Sequence, residues 1–364
     1  MSPRNRKIPR PKTPGRKHDM SDERQRLILN KETEEDAVIS LSLRPSKLDD
    51  FIGQKDLVES LKVSLQAAQQ RGESVEHMLF SGPPGLGKTS LAYIIAHEMN
   101  TRITVTSGPA IDRAGDFIGI LTNLEQGDVL FIDEIHRLSK TVEEFLYPAM
   151  ESFQIDFIVD KGPYAKTIKF NLKPFTLIGA TTRSGLLASP LRDRFGIFHH
   201  LDFYRAEDLQ QIILNSAKKL SVSLDLKAAE AIARRARGTP RIANRLLRRV
   251  RDYAQVKTSQ GKITLEIVLK AMGTLGIDDE GLDEVDRRLM AAMRDHYQGG
   301  PVGVEAIAAT LNEEVDTIVD VVEPFLLKRG FLKRTPRGRE LTADGRAHIA
   351  SSSASFGEPQ DLFK

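Results

Sequence analysis

A glycine-rich stretch that ends in lysine and threonine is the first part of this sequence that could do chemistry. Residues 82–89 are Gly-Pro-Pro-Gly-Leu-Gly-Lys-Thr and fit the pattern G-x-x-x-x-G-K-[ST]. Glycines let the backbone curl so that several N–H groups point at one anion, and the following helix N-terminus adds partial positive charge. Lys88 supplies an ammonium for the β- and γ-phosphates, and Thr89 a hydroxyl for Mg²⁺. The stretch predicts a nucleotide site; the alternative is a glycine-rich turn without nucleotide.

Two adjacent carboxylates end an apolar run further along the chain. Residues 128–134 are Asp-Val-Leu-Phe-Ile-Asp-Glu, a pattern typical of a fully buried parallel strand. The C-terminal edge of such a strand lies beside the phosphate loop, where ligands bind in open α/β sheets. Asp133 can then hold the magnesium shell, and Glu134 can orient and polarise the attacking water. The pair favours hydrolysis over phosphotransfer; the alternative is a strand capped by solvated acids.

Polar residues after the next buried strand could sense or stabilise the phosphates. The strand predicted over 176–180 is followed by Thr-Thr-Arg, and a hydroxyl at this edge would sit near the γ-phosphate. Beyond it, Arg192 and Arg194 lie on one short segment and suggest an arginine finger that reaches into a neighbouring subunit's site. The alternative is a surface ion pair with Asp193, worth only about 0–1 kcal/mol.

The elements that must position these residues indicate an α/β domain with a parallel sheet flanked by helices. Strands are expected at 77–80, 101–106, 128–134 and 176–180, and helices at 56–70, 90–99, 112–124 and 140–151. From Ala206 to about Gly273 the pattern is helical throughout. A strongly basic helix there begins with Thr239 as N-cap and Pro240 at the first helical position. Arg241, in its first turn, is best placed to reach a nucleotide at the domain junction.

A segment of the α/β domain alternates apolar and polar residues and predicts a β-hairpin with a longer loop, inserted at about 153–172. The alternating apolar residues are Ile155, Phe157 and Val159 on one side and Ile168, Phe170 and Leu172 on the other. An apolar projection usually marks a contact surface. The alternative is ordinary packing onto its own domain.

The residues after a linker at 274–280 predict a winged helix, with helices at 283–296, 304–311 and 315–328 and then a hairpin. The third helix and its lead-in carry five carboxylates: Glu313, Glu314, Asp316, Asp320 and Glu323. Such a helix would face a polyanion poorly. The hairpin is basic, with Lys333, Arg334, Arg337 and Arg339. We therefore expect DNA backbone contacts from the wing without strong sequence readout; the alternative is a protein-binding winged helix.

Composition limits the possible classes of protein. The chain has no cysteine, which excludes disulfides and thiolate metal sites and suits a reducing cytoplasm. No apolar run approaches about 18 residues, so we expect no membrane span, and the N-terminus lacks the apolar core of a signal peptide. Net charge is only +3, so contacts with nucleic acid must come from local basic clusters. The basic arm at 1–40 and the tail at 351–364 are expected to be disordered.

Taken together, the motifs resemble the RuvB family, motors of Holliday junction branch migration in the AAA+ class. The resemblance runs from about Leu41 to Ala350 and depends on an ordered set of segments: LRPSKLDDFIGQ, GPPGLGKTS, LFIDEIHRL, GATTRSGLL, SPLRDRFG, GTPRIANRLLRRVRD, GGPVG and KRTPRGR. It implies an AAA+ P-loop ATPase domain at 41–204, a small helical lid at 205–275 and a winged-helix head at 278–350. It also implies ATP and Mg²⁺ as cofactors, a homohexameric ring on the duplex arms of four-way junctions, and work with RuvA and the resolvase RuvC in recombination and repair.

The resemblance further implies roles for individual residues. The ATP-binding group is Leu43, Arg44, Gly85, Lys88, Thr89, Ser90, Glu151, Ser152, Phe153, Arg194, Tyr204 and Arg241, with Thr89 and Asp133 on the metal. The catalytic group is Glu134 as the water-polarising residue, Thr182 and Arg241 as first and second sensors, and Arg194 as the trans-acting finger. Arg334, Arg337 and Arg339 are expected on DNA, and the hairpin residues Ile155, Phe157, Ile158, Val159 and Ile168 on RuvA.

Two features depart from broader patterns. Most AAA+ proteins place asparagine at the first sensor, whereas Thr182 stands there, as in the RuvB family. The basic arm and a Gln-Asp-Leu-Phe tail, loosely similar to peptides that bind sliding clamps, lie outside the shared core.

A clamp-loader-like ATPase is the alternative enzyme, and the C-terminal winged helix argues against it. An ATP-gated transcription regulator would need a base-reading helix, which the acidic third helix disfavours.

Overall fold

The computed structural model describes residues 41–158, 167–258 and 261–355. The basic arm, Val159 with the hairpin loop, and the Gln-Asp-Leu-Phe tail lie outside these residues. The first domain contains, in chain order, α1 (Lys55–Arg71), β1 (Met78–Ser81), α2 (Lys88–Glu98), β2 (Ile103–Ser107), α3 (Ala114–Thr122), β3 (Val129–Asp133), α4 (Lys140–Ser152), β4 (Gln154–Ile158), β5 (Thr167–Asn171), β6 (Thr176–Thr181), α5 (Ser189–Arg192) and β7 (Ile197–His200).

Five of these strands form a parallel sheet in the order β2-β3-β6-β1-β7. β3 is buried over its first four residues and β6 over all six, as expected of strands covered on both faces. The carboxyl ends of the strands meet at one edge, which brings the phosphate loop after β1, the acids at the end of β3 and the threonines at the end of β6 together. The predicted α/β class is confirmed. The edge strand β7 was not predicted, because its residues alternate between part-buried and exposed and form no apolar run.

The predicted hairpin is present as the antiparallel pair β4–β5, with Gln154 opposite Asn171 and Ile158 opposite Thr167. It leaves the domain directly after α4. Ile155 is almost fully buried and packs into the core beneath the sheet. The base of the hairpin is therefore anchored in the domain.

Four helices form the lid: α6 (Ala206–Lys219), α7 (Leu226–Arg235), α8 (Pro240–Lys257) and α9 (Leu265–Leu275). α8 begins at Pro240 as predicted, since proline lacks only an N–H that the first turn would leave unpaired. The hydroxyl of Thr239 donates to the carbonyl of Arg237 instead of accepting a capping bond from the helix. The buried side chains of the lid are continuous with those of the first domain, so the lid packs beside the phosphate loop.

The head has the predicted winged-helix pattern, with one difference in the third helix. It contains α10 (Glu284–Tyr297), α11 (Val304–Leu311), α12 (Val315–Thr317), α13 (Glu323–Lys328), β8 (Leu332–Thr335) and β9 (Gly338–Leu341). The continuous helix predicted over 315–328 is interrupted by a π-helical turn at Ile318–Val322. Pro324 lies just after this turn, lacks an N–H and crowds the carbonyls of the turn before it, which accounts for the irregular segment.

A further helix, α14 (Ala343–Ser355), completes the head. It continues to Ser355, five residues into the tail for which disorder was expected from residue 351. The helix was missed because its buried apolar side chain, Ile349, lies among alanines and serines that show no helical period. The hydroxyl of Thr342 accepts the N–H of Gly345 and caps the helix, and the ring of His348 stacks on Phe331 with centroids 4.9 Å apart. Within the part of the chain described, no helix has the length and apolar character needed to cross a membrane.

Candidate functional site

The phosphate loop joins the end of β1 to the start of α2. Its glycines are required by the backbone, because Gly82 and Gly85 have φ angles of +131° and +79°. A Cβ on Gly82 would lie 2.3 Å from the carbonyl oxygen of Leu201, and one on Gly85 would lie 2.8 Å from a methyl carbon of Thr239. The loop is thus held between the strand edge and the lid, with its N–H groups at the start of a helix.

Lys88 is buried at the base of this loop. Its ammonium donates to the carbonyls of Gly82 and Pro83 at 2.7 and 2.8 Å. Burial lowers the pKa of Lys88 to about 8, while the nearby charges of Asp133 and Glu134 act in the opposite direction. The Lys88 ammonium therefore lies where an anion would bind, and its charge is sensitive to its surroundings.

The two acids at the end of β3 differ in their surroundings. Glu134 has a left-handed φ of +49°, and its N–H donates to the Asp133 carboxylate at 3.0 Å. The hydroxyl of Thr182 donates to a carboxylate oxygen of Glu134 at 3.3 Å, and Nδ1 of His136 lies 3.4 Å from the same oxygen. Burial, followed by the negative charge of Asp133, raises the pKa of Glu134. A carboxylate held in this way is suited to accept a proton from water.

These groups line one cavity of about 580 Å³ between the first domain and the lid. The predicted residues that it brings together are Leu43, Arg44, Gly85, Lys88, Thr89, Ser90, Asp133, Glu134, Thr182, Tyr204 and Arg241. The buried Tyr204 donates its hydroxyl to the carbonyl of Leu86 at 3.0 Å, which ties this wall of the cavity to the phosphate loop. Lys219 donates to the carbonyls of Leu43 and Arg44 and fixes the opposite segment to the lid.

The donor set at the phosphate end of the cavity fits a hard cation. Thr89 and Asp133 both line it and offer a hydroxyl and a carboxylate oxygen, the ligand types that Mg²⁺ prefers beside substrate phosphates. Among the described residues no cluster of three or more His, Cys, Asp or Glu forms a self-sufficient metal cage. The remaining ligands of a cation held by Thr89 and Asp133 would be phosphates and water.

Four predicted nucleotide-site residues do not line this cavity: Glu151, Ser152, Phe153 and Arg194. Arg194 instead lies on the side of the domain where α4 ends. Its guanidinium is 2.8 Å from the Glu151 carboxylate and 4.5 Å from the ring centroid of Tyr147. Phe153 packs edge-on against Phe175 with centroids 5.8 Å apart. The structure thus separates this group from the phosphate loop of its own chain.

The wing arginines share a buried acid that was not predicted to bind them. Glu323 is fully buried and accepts two hydrogen bonds from Arg334, at 2.8 and 2.9 Å, and two from Arg339, at 2.9 and 3.3 Å. Burial raises the pKa of Glu323, but these hydrogen bonds outweigh it and leave the pKa below its ordinary value. Arg334 keeps 53% of its side chain exposed and Arg339 only 21%. Arg337 is exposed in the turn between the strands.

One of the predicted contact residues of the hairpin, Ile155, is covered by its own domain. Ile155, with 1% exposure, is not available to a partner in this conformation, because the strand turns it toward the core. Phe157, Ile158 and Ile168 lie on paired strands, and Val159 is outside the described residues. Phe170, which is 50% exposed, is the large apolar side chain that the hairpin offers to solvent among the residues whose burial is described.

Two residues with evident contacts at the site were missed from the sequence. His136 is buried and lies 2.9 Å from the hydroxyl of Thr181 as well as beside Glu134. Arg183, which directly follows Thr182, pairs with two carboxylates of the head. The available signal in the sequence was that His136 and Arg183 lie within two positions of Glu134 and Thr182. Their contacts with residues far away in the sequence gave no such signal.

Comparisons with known proteins give a consistent result over most of the chain. Residues 43–201 match the Holliday junction DNA helicase RuvB P-loop domain, 204–278 the RuvB AAA lid domain and 279–350 the RuvB C-terminal winged helix domain. The chain is 58% identical over 308 residues to the Holliday junction branch migration complex subunit RuvB of Myxococcus xanthus (strain DK1622), covering 85% of this chain and 90% of that one. The solved Thermotoga maritima RuvB Holliday junction branch migration motor is similar with a TM-score of 0.78 at 52% identity, over 87% of this chain and 100% of that one. A mutant of the Thermotoga protein gives a TM-score of 0.79 at the same identity, over 87% of this chain and 100% of that one.

Proposed function

This chain belongs to the RuvB family and is a Holliday junction branch migration motor with a P-loop ATPase domain; we propose how its residues, metal and assembly perform that work. Its partners include DNA and, by its likeness to a branch migration complex subunit, RuvA. We propose that residues 41–204, 205–275 and 278–350 act as the ATPase domain, the lid and the DNA-binding head, and that the motor works in the cytoplasm.

The observation that carries the proposal is the single cavity in which the phosphate loop, the β3 acids and the β6 hydroxyl meet. Lys88 and the loop N–H groups supply positive charge for the β- and γ-phosphates. Arg241 begins the basic lid helix, and its backbone N–H lies 3.4 Å from the carbonyl of Gly85. A nucleotide held there would contact both domains, so its presence can change the position of the lid relative to the sheet.

Hydrolysis is assigned to Glu134. Its carboxylate would accept a proton from the attacking water, and its raised pKa brings it closer to the working pH of a general base. Thr182 donates to this carboxylate and would exchange that contact for the γ-phosphate when ATP is bound. Nδ1 of His136, 3.4 Å from the same carboxylate oxygen, would help to hold its orientation.

A magnesium ion is proposed with Thr89 and Asp133 as its protein ligands. When bound it would neutralise charge on the β- and γ-phosphate oxygens. Asp133 already accepts the N–H of Glu134, so one residue fixes both the metal side and the orientation of the next acid. The hydroxyl of Thr89 would complete the protein contribution in the first turn of α2.

Arg194 is proposed to act on the nucleotide of a neighbouring subunit in a homohexameric ring. Its separation from its own cavity, together with Glu151, Ser152 and Phe153, supports this assignment. A guanidinium that approaches the γ-phosphate from outside would add charge stabilisation in the transition state, an effect worth about 10³–10⁵ in rate where an arginine finger acts. Such an arrangement makes hydrolysis depend on ring assembly.

The wing is proposed to contact the duplex arms of the junction through its phosphates. Arg334 and Arg337 are exposed there. Arg339 is largely covered and holds the β8–β9 hairpin of the wing to Glu323. Phosphate contacts position a protein on DNA without reading sequence, which suits a motor that must move along it.

The β4–β5 hairpin of the first domain is proposed as the RuvA docking element. RuvC is proposed as the resolvase that acts on the same junction.

The direct test is dissociation of a mobile synthetic four-way junction, measured with and without ATP and with and without RuvA. We expect dissociation that requires ATP, is stimulated by RuvA and is lost in Glu134→Gln. A sequence-matched linear duplex is the control for simple unwinding. ATP hydrolysis without junction dissociation, even with RuvA present, would contradict the proposal and revive a clamp-loader-like activity, which the match to the RuvB winged helix at 279–350 does not favour.

A further inference from the structure

The acidic third helix of the head is attached to the ATPase domain through Arg183. Nε and Nη2 of Arg183 donate to the two carboxylate oxygens of Asp320 at 2.8 and 2.7 Å. Nη2 also donates to Asp316 at 2.8 Å. A bidentate pair of this kind fixes orientation as well as distance. Asp316 and Asp320, two of the carboxylates that made this helix unsuited to DNA, thus pair with Arg183 of the same chain.

Arg183 is part of a continuous run at the end of β6 that also contacts the catalytic acid. Thr181 places its hydroxyl 2.9 Å from Nδ1 of His136, and Thr182 donates to Glu134 at 3.3 Å. The N–H of Arg183 donates to the Thr181 hydroxyl at 3.0 Å. Three consecutive residues therefore join the groups around the γ-phosphate position to the head, with no flexible segment between them.

The head has a second, more buried attachment, to the lid. Arg237 is 8% exposed and donates to Asp286, which has no exposure, at 3.1 Å and to Asp283 at 3.2 Å. Its guanidinium also lies 4.7 Å from the ring centroid of Phe325. Buried, multiply paired charges are costly to separate. Arg183, Asp316 and Asp320 keep 25%, 65% and 25% of their side chains exposed, so their contact can open in water.

We propose that Arg183 is a positioning residue that couples the γ-phosphate sensor to the head, so that nucleotide binding at Thr182 and DNA binding at the wing change each other's affinity. The inference rests on the proposed function, in which the head binds DNA. While the pair with Asp316 and Asp320 is closed, the head is held against the sensor strand. Movement of the head with the lid opens the pair and releases the Thr182 segment. Coupling between two binding events is reciprocal by thermodynamic necessity.

The test measures this reciprocity without hydrolysis. The affinity for a fluorescent non-hydrolysable ATP analogue is measured with and without a saturating DNA duplex, and the affinity for the duplex with and without the analogue. In the natural protein both ratios should agree and be at least about fivefold, the lower end of common coupling factors. In Arg183→Ala both ratios should fall to near one, while affinity for the analogue alone stays close to that of the natural protein.

Variants on the head side keep the test valid if Arg183→Ala does not fold. The double variant Asp316→Asn, Asp320→Asn should lose the same coupling, and combining it with Arg183→Ala should cause no further loss. The matched control is Asp202→Asn, because Asp202, which follows β7 rather than β6, forms another contact between the ATPase domain and the head, with Lys328 at 3.5 Å. It should keep the natural ratios.

A structural readout follows from the absence of cysteine in the chain. Spin labels on Leu186→Cys and Glu314→Cys, both exposed positions, would report the distance between the ATPase domain and the head. Arg183→Ala should broaden this distance distribution and Asp202→Asn should not. Ratios that are unchanged in Arg183→Ala, or near one in the natural protein, would overturn the inference. Failure of the proposed function would instead appear as a natural protein that does not dissociate the junction, whatever its coupling ratios.

Discussion

The Thr182 hydroxyl donates to the carboxylate of Glu134 across 3.3 Å, and this contact joins the residue proposed to sense phosphate to the acid proposed to activate water. Glu134 occupies a left-handed backbone conformation, which is uncommon for a residue with a side chain. The orientation of its carboxylate depends on its contacts with Thr182 and His136. Removal of one contact should alter catalysis more than binding.

Thr182→Val should lower kcat for ATP hydrolysis by about tenfold to a hundredfold, the range found when a partner that orients a functional group is removed. KM should change little, because Lys88 and the loop N–H groups remain. Thr182→Ser is the matched control, since it keeps the hydroxyl and should retain most of the activity. Steady-state hydrolysis at saturating ATP measures the effect. Equal losses in the valine and serine variants would show that the hydroxyl is not what matters.

ATP affinity should fall as the pH rises through about 8, because burial lowers the pKa of Lys88 to about 8. The protonated ammonium is the form that attracts phosphate, so binding is strongest below this pKa and weakens above it. Bound phosphate favours the charged form and moves the decline to higher pH in the complex. Titration of a fluorescent ATP analogue between about pH 7 and about pH 9.5 tests this, since an ordinary lysine would stay charged over most of that range.

The control for the pH experiment is Lys88→Met, which should bind the analogue weakly with no decline centred near pH 8. Hydrolysis in this variant should also be lost. A natural protein whose affinity is constant to the top of this range would mean that the Lys88 ammonium keeps an ordinary pKa, despite its burial.

Arg194→Ala should bind ATP normally and hydrolyse it poorly, by about 10³-fold or more if the residue acts as an arginine finger. Because the residue is proposed to act on a neighbour, mixing should restore part of the activity. Rings that combine Arg194→Ala with Lys88→Ala subunits should hydrolyse ATP wherever an intact Lys88 site faces an intact Arg194. Hydrolysis is measured across mixing ratios, with each variant alone as the reference. No recovery at any ratio would argue against action between subunits.

Much of the nucleotide site could be predicted from the sequence because its chemistry is local. The phosphate loop and the acids at the end of β3 are each contiguous, and the burial of β3 follows from an unbroken apolar run. The sheet then brings these segments to one edge by a general property of parallel strands. The cavity accordingly contains most of the predicted residues, including Tyr204 and Arg241 from beyond the sheet.

Contacts between distant residues could not be predicted in the same way. Arg183 and Asp320 are 137 positions apart, and Arg237 and Asp286 are 49 apart. Local periodicity contains no information about such pairs. The acidity of the third helix was noticed, but the pairing of its carboxylates with Arg183 and with the wing arginines required the structure. Similarly, Ile155 belongs to the same apolar alternation as Phe170, which is 50% exposed, and only the fold shows that Ile155 is buried in the core.

Arg337→Ala should weaken DNA binding by a similar factor on duplexes of unrelated sequence. Loss of one phosphate contact should also reduce the slope of log K against log salt by about 0.9. Arg337 is exposed in the wing turn, so stability should change little. Lys62→Ala, which removes a part-exposed positive charge paired with Asp49 on the ATPase domain, is the control for net charge. A change in sequence preference, or an unchanged salt slope, would argue against a phosphate contact by this side chain.

The hairpin allows a test that separates docking from folding, because two of its apolar residues lie opposite each other on the paired strands but differ in exposure. Phe170→Ala removes a half-exposed ring and should leave stability within about 0.5 kcal/mol. It should weaken RuvA binding by about fivefold or more if the ring is an interface anchor. Ile155→Ala should instead lower the free energy of unfolding by about 2–5 kcal/mol, because it opens a cavity in a packed core. Thermal unfolding and titration with RuvA measure the two effects. Normal RuvA binding by a stable Phe170→Ala protein would show that the Phe170 ring is not an anchor of the docking surface.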